Sequence, residues 1–375
     1  MKFCKTCTMP DTRPRLRFDE NGICSACHYH FQVKPQIDWL ARGDEFREIM
    51  DAQPGPFHCV VPFSGGKDSS YVALRIKEMG YSPLAVCYGQ LLPTERGMAN
   101  IRAIQEVGIT VIHVQPDQAV SRDLSRRFLV ERGHPKQHYD SAVNATTMKI
   151  AMAMGIDLIV FGEHGETEYG GHILSEKSSR ERDLAEVLEN QVGDDAANWF
   201  DDPCGAEAWP YTMPIRLYNP KEPPPPFPTA VYFSYFFPWD TKHNYEYVAE
   251  HSGWRPEPFD SDGNFVNYDS IDDMIDDLDY YMMYIKFGFG RATRQANRLL
   301  HWGHMSRRQA VAAIKTYDGQ QPRRYIPQIL NYLDMNFDEL LQIVEKHRNP
   351  NVFEKNADGF WELKNKIWDD DSATV

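Results

Sequence analysis

Four short apolar runs mark the first half of the chain, at residues 57–63, 83–88, 109–114 and 157–161, each too short and too continuous to be an amphipathic helix. Between and around them the spacing predicts helices near residues 35–50, from about Ser69 to Met79, around Glu95–Val107 and through Met148–Met154, with Pro54-Gly55-Pro56 and Gly80 as breaks. Alternation of this kind predicts an α/β fold: a doubly wound, mostly parallel sheet with helices on both faces. Ligands of such sheets bind beyond the carboxyl ends of the strands, where loops 64–69, 87–94 and 162–172 would meet. After residue 172 the periodicity fades into a charged helical run at 175–192 and an acidic, proline-broken stretch containing Pro223-Pro224-Pro225-Pro226. From Tyr245 onwards the pattern is mostly helical. Ile271, Met274, Ile275, Leu278 and Met282 fall at helical spacing, and residues 306–316 and 337–347 read as further helices. The acidic residues interleaved with that stripe, Asp269, Asp272, Asp273, Asp276, Asp277 and Asp279, read as its solvated face. The expected organisation is a small module at 1–34, an α/β domain at 35–172, an insertion or substrate-covering region at 173–240 and a helical region at 241–375.

Composition narrows the class. The chain has 375 residues, is 42% hydrophobic and contains no apolar stretch near the ~18 residues of a membrane span. Met1-Lys2-Phe3-Cys4 lacks the apolar core of a secretory signal, so the expected location is the cytoplasm and no membrane partner is expected. A formal net charge of -14 disfavours a nucleic-acid partner, because a polyphosphate would be repelled. Four of the seven cysteines form two close pairs, Cys4-x-x-Cys7 and Cys24-x-x-Cys27. Two knuckles with two thiolates each suit a closed, tetrahedral and therefore structural Zn²⁺. His28 and His30 follow the last of these cysteines and read as surface or neighbouring groups. Cys59, Cys87 and Cys204 read as buried or incidental thiols.

The chemistry-bearing motif follows the first apolar run. In Phe63-Ser64-Gly65-Gly66-Lys67-Asp68-Ser69 the glycines permit close backbone approach, and a strand-to-helix turn aims unpaired N–H groups at one spot. The hydroxyls of Ser64 and Ser69 can donate to phosphate oxygens and Lys67 can neutralise them, while Asp68 can cap the helix or help hold Mg²⁺. A Walker A loop is excluded, since Gly66-Lys67 is followed by Asp68 rather than Ser or Thr. At the end of the last strand, Gly162-Glu163-His164 lies at the ligand-facing edge, with Glu163 or His164 placed to act on an acceptor or metal.

The loop resembles the SGGxDS signature of PP-loop ATP pyrophosphatases, of the adenine nucleotide alpha hydrolase-like type. That resemblance implies that ATP is gripped by its β,γ-diphosphate while a substrate oxygen attacks the α-phosphorus. Nearly the whole chain is similar to the N-acetyl sugar amidotransferases of bacterial surface-polysaccharide (O-antigen, lipopolysaccharide) biosynthesis. The likeness rests on Cys4-x-x-Cys7-x-Met9-Pro10-Asp11-Thr12-Arg13-Pro14, Gly22-Ile23-Cys24-Ser25-Ala26-Cys27, the loop, Gly162-Glu163 and Phe237-Pro238-Trp239-Asp240. It continues in Tyr284-Ile285-Lys286-Phe287-Gly288-Phe289-Gly290-Arg291-Ala292-Thr293 and Gly303–Ala310. It implies a synthetase subunit that turns the N-acetyl group of a nucleotide-linked sugar into an acetamidino group through an adenylylated amide. Ammonia would come from separate glutaminase and cyclase-like subunits. Lys67, Asp68 and Glu163 are then the expected catalytic groups, with Phe63–Ser69, Gly162, Lys286 and Arg291 binding nucleotide or an anionic group. Two other readings remain at this stage: a tRNA-modifying PP-loop enzyme, and a non-catalytic nucleotide-binding scaffold.

Overall fold

The computed structural model of the chain describes residues 1–171, 175–182, 193–214 and 226–369. Much of the expected run at 175–192 and most of the proline tract lie outside them. Five strands, β1 (Cys59–Pro62), β2 (Pro83–Tyr88), β3 (Thr110–Val114), β4 (Leu158–Phe161) and β5 (Thr229–Tyr232), form one parallel sheet in the order β3-β2-β1-β4-β5. Register is tight across its centre, where Val60 lies beside Leu84 on one side and Ile159 on the other. Side chains alternate between the faces, as strand geometry requires. Val60, Leu84, Val86 and Ile159 pack with Ala145 and Met148 of the helix Gln137–Met154, while Val61, Ala85, Cys87 and Val160 pack with Val72 and Ile76 of the helix Lys67–Glu78. The α/β class and parallel sheet are those the apolar runs imply.

Three differences from the sequence reading bear on function. First, β5 lies inside the stretch read as an insertion, yet it completes the sheet by pairing along β4 from Leu158↔Thr229 to Phe161↔Tyr232. Its four residues carry no helical partner pattern and are separated from β4 by a long excursion, so local periodicity could not place them. Second, the helix Gln118–Arg132 was not anticipated, and the helix read at Met148–Met154 begins at Gln137. Third, the helix expected from Ile271 starts only at Asp276 and ends at Phe287. Residues 269–275 form a non-helical segment held against the loop after β2: Leu91 and Leu92 donate N–H bonds to the Asp273 carboxylate at 3.1 and 3.0 Å, and Thr94 N–H donates to Asp272 O.

The N-terminal module is docked, not tethered. Thr8 donates through N–H and Oγ1 to Asn297 Oδ1, both at 2.9 Å, and Arg13 Nε donates to Tyr169 O at 2.9 Å. The module therefore touches both the helix Arg291–His301 and the short helix Gly165–Tyr169 that follows β4. Among the described residues no helix is long and apolar enough to cross a membrane.

Candidate functional site

The turn after β1 is shaped by what a Cβ cannot do. Gly65 has φ +84°, and a Cβ there would stand 2.4 Å from Ile101 Cγ1, so backbone conformation and space both require glycine. Trp254 Nε1 donates to Gly65 O at 2.8 Å and Gln90 Nε2 donates to Ser64 O, which fixes the turn from outside. Within it, Gly66 N–H donates to Ser64 Oγ at 3.2 Å and Ser69 Oγ donates to Gly66 O at 3.3 Å. The helix Lys67–Glu78 has Gly66 as its N-cap, with no side chain to accept from the first turn. Its leading N–H groups are left for a ligand, at the end where the helix dipole is positive. Phe63 faces the core and its N–H donates to Val86 O, so it anchors the turn rather than lining a site.

Over the turn lies a cavity of about 350 Å³. Ser64, Gly66, Lys67, Asp68 and Ser69 form one wall, Gly162 and Glu163 at the end of β4 a second, and Arg291, Arg294 and Arg298 a third. It sits between β1 and β4, the point at which the strand order reverses, where open parallel sheets bind ligands. Gly162 is held close to Trp239 of the Phe-Pro-Trp-Asp motif, whose Cη2 would be 3.0 Å from a Cβ at that position.

The electrostatic centre of the cavity is Asp269. Lys67 Nζ donates to Asp269 Oδ1 and to Asp68 Oδ2, each at 2.7 Å, and Arg291 Nη2 lies 2.7 Å from Asp269 Oδ2. Burial works against a charge on Lys67, but the Asp269 and Asp68 carboxylates outweigh it and raise its pKa above the ordinary value. Burial likewise opposes the Asp269 carboxylate, and Arg291 and Lys67 overcome it, holding the group well below the usual range. Both therefore stay ionised. Asp68 also accepts from Asn244 Nδ2 at 3.1 Å. Glu163 accepts from Arg298 Nη2 at 2.7 and 2.9 Å and from Tyr169 OH at 3.2 Å, so it is aligned before any ligand arrives.

The acidic run is thus no solvated helix face. Asp269, Asp273 and Asp276 are buried, and their counter-charges come from distant sequence: Lys67 and Arg291 for the first, Lys136 for the other two. An i, i+3 pattern cannot reveal a partner that lies far away in the chain.

A second, larger cavity of about 720 Å³ adjoins the first and shares Glu163, Tyr280 and Arg294 with it. Lys286, expected beside the nucleotide, lines this one instead, with Nζ donating to Arg132 O at 3.2 Å. Burial holds its pKa below the ordinary value. The structure therefore separates Lys286 from the glycine turn and brings Arg291 to it. His164 is buried, its Nδ1 accepting from Glu166 N–H at 3.2 Å, and it lines the larger cavity.

His134 lines the same cavity between Asp279 (2.7 Å) and Asp140 (3.4 Å). Burial opposes its charge, yet the two carboxylates lift its pKa from 6.5 to about 10. A histidine raised in the folded state contributes its full stability below the unfolded pKa, and that contribution fades as pH climbs through the folded value. The thermal midpoint is accordingly expected to fall between pH 6.5 and about 10, with a shallower slope in His134→Gln. Calorimetry across that range decides it, and equal slopes in the two proteins would refute the assignment.

The four cysteine sulfurs at positions 4, 7, 24 and 27 are buried and lie within 4.8 Å of one another. Cys4 and Cys27 Sγ are 3.8 Å apart and Cys7 and Cys24 Sγ 3.6 Å. A tetrahedron with Zn–S arms of about 2.3 Å has edges of about 3.8 Å, so the donor set fits zinc. His301 Nε2 lies 3.4 Å from Cys27 Sγ, while His28 pairs with Asp19 and His30 stacks on His301, all outside the sulfur cluster. Metal analysis is expected to give about one zinc per chain, with Cys7→Ser lowering both metal content and thermal midpoint. Full stability without metal would count against this. The other three cysteines are free: Cys59 and Cys87 are buried, burial pushing the Cys87 thiol up to about 12, and Cys204 is exposed.

Residues 262–367 match the family described as the LPS biosynthesis protein WbpG-like, C-terminal domain. The matched segment contributes Asp269, Arg291, Arg294 and Arg298 to the smaller cavity, and so the counter-charge of Lys67. A solved structure from Methanocaldococcus jannaschii, entitled a predicted subunit of tRNA methyltransferase, is 20% identical over 36% of this chain and 63% of its own, with a TM-score of 0.24. Less than two thirds of that protein is spanned, and the superposition is too poor to carry an argument. No curated protein sequence is similar enough to this chain to count as a relative.

Sequence reading overlooked Asp269 as a site residue, as well as Arg294, Arg298, Tyr169 and Trp254. One signal was available: Arg291, Arg294 and Arg298 fall at i, i+3 and i+7, a single helix face.

Proposed function

We infer that the chain is an ATP-using enzyme of surface-polysaccharide biosynthesis that converts the N-acetyl group of a nucleotide-linked sugar to an acetamidino group. The observation that carries this reading is the glycine turn at the end of β1 facing the arginine stripe of the WbpG-like domain across one cavity. ATP supplies an adenylyl group. The amide oxygen attacks the α-phosphorus and diphosphate leaves; ammonia then adds to the activated carbon, and AMP departs with the former amide oxygen. An amide carbon is a poor electrophile until its oxygen becomes such a leaving group.

In this scheme the N–H groups at 67–69 and the Ser64 and Ser69 hydroxyls hold the leaving diphosphate, and Lys67 and Arg291 balance its charge. Mg²⁺ bound to phosphates asks for only one or two protein carboxylates, and Asp68, facing the cavity, is suited to that task. Glu163, held by Arg298 and Tyr169 between the two cavities, is placed to orient the acceptor amide or the incoming ammonia. Ammonia would be delivered by separate glutaminase and cyclase-like subunits in the cytoplasm.

The test is diphosphate release from ATP with Mg²⁺ and ammonia, across N-acetylated nucleotide sugars and a tRNA control. Sugar-dependent release, with a product in which one oxygen is exchanged for NH, supports the reading. Release with tRNA alone moves the protein to RNA modification, and release with neither rules out this acceptor class.

A further inference from the structure

The larger cavity has a charge imbalance that the proposed ATP chemistry does not use. Among the cations lining it, Arg15 is paired with Glu166, His134 with Asp279 and Lys136 with Asp276. Arg13, Lys286 and Arg294 have no carboxylate within ion-pair distance among the described residues, and Lys286 is turned onto Arg132 O at 3.2 Å. Arg13 spends one donor, Nε–H, on Tyr169 O, and Arg294 makes no described hydrogen bond at all. Both guanidinium groups lie against the same ring, with Cζ 5.3 Å (Arg13) and 4.6 Å (Arg294) from the Tyr169 centroid. The third arginine on that ring, Arg298, is already matched by Glu163. Burial and then the like charge of Arg294 depress Arg13 to about 10, against the opposing pull of Glu166 and Glu163, whose carboxylates are engaged by Arg15 and Arg298.

We propose that Arg13 and Arg294 form a clamp for the diphosphate of the acceptor, so that the cysteine-bound N-terminal module is part of the acceptor site. Guanidinium forks match phosphate oxygens in pairs, and two of them converging on one wall suit a group with two adjacent phosphates better than a single carboxylate. ATP itself is held elsewhere: Arg13 does not line the cavity over the glycine turn, whereas Arg294 lines both. A diphosphate at Tyr169 leaves the remainder of a cavity of about 720 Å³ for the nucleoside and sugar, within the usual ~300–1,000 Å³ of a ligand site. The sugar's amide can then reach Glu163, which belongs to both cavities.

This assignment rests on the glycine turn being the ATP site, but not on the amidination step, and a binding experiment separates the two. With the turn saturated by α,β-methylene-ATP, titration calorimetry would use UDP-N-acetylglucosamine, UDP, N-acetylglucosamine and N-acetylglucosaminuronate as probes, against wild type, Arg13→Gln and Arg294→Gln. Both substitutions are expected to weaken the two diphosphate probes by about tenfold or more, and Arg13→Gln to leave the ATP analogue unaffected. Arg294→Gln removes no described hydrogen bond but does remove a contact with the Tyr169 ring, so an unchanged thermal midpoint and unchanged binding of uncharged N-acetylglucosamine are required to separate lost affinity from lost structure. Unchanged diphosphate binding in Arg294→Gln, equal loss of uncharged N-acetylglucosamine, or Arg-dependent binding of the uronate in preference to UDP would each overturn the clamp. So would the absence of diphosphate binding to wild type. Clamp-dependent binding without amidination would leave the clamp standing and remove only the reaction.

Discussion

Asp269→Ala is expected to destabilise the protein by about 3–5 kcal/mol, the usual consequence of taking one partner from a buried ion pair. The carboxylate faces Lys67 and Arg291 at 2.7 Å each and accepts from Gln295 Nε2 at 3.1 Å, all in the interior. Its removal leaves Lys67 and Arg291 buried, and takes a more distant partner from Arg298; among the described residues Asp68, partly solvated, is the carboxylate that remains at ion-pair distance from Lys67. Urea denaturation followed by fluorescence measures the loss. A difference under about 1 kcal/mol, the range of an exposed pair, would mean that water reaches the cluster and that the charges are not mutually dependent. Combining Asp269→Ala with Lys67→Met should cost less than the sum of the two single changes, since the second removes part of the charge the first left unpaired.

Lys67→Ala is expected to lower ATP turnover by about 10²–10³-fold, the range seen when one preorganised charge-stabilising group is removed from an active site. The effect on folding should be smaller than for Asp269→Ala, because Arg291 remains to neutralise Asp269. Diphosphate release under single-turnover conditions, with the thermal midpoint measured alongside, separates the two effects. Turnover within a few-fold of wild type would remove Lys67 from the reaction and with it the central element of the proposed mechanism.

What could be read from the sequence follows the range over which each signal acts. Strands β1 to β4 and the turn 64–69 were visible because apolar runs, glycines and helix starts are local features, and β2 lies where its six apolar-rich residues placed it. Arg291 was found through a motif and Glu163 through its position at a strand end. Strand β5 was hidden because it joins β4 only after a long excursion through proline-rich, acidic sequence. The acidic run was misread for a related reason: its charges look solvated unless Lys136, Lys67 and Arg291 are known to reach them. Lys286 and Arg291 are five positions apart, yet Gly288, with φ +76°, ends one helix and Arg291 begins the next, sending them to different cavities.

The separation between Lys67 and its counter-charge has a bearing on how the protein is made. They are 202 positions apart, and β5, which closes the sheet, also lies well downstream of the glycine turn. At ~5–20 residues per second a ribosome needs roughly 10–40 s to go from one to the other. During that interval the nascent α/β half has its lysine without Asp269, and for most of it also lacks its last strand, so the charge cluster at the glycine turn is not yet complete. A chain truncated before residue 269 would therefore lack one wall of the cavity proposed to hold ATP.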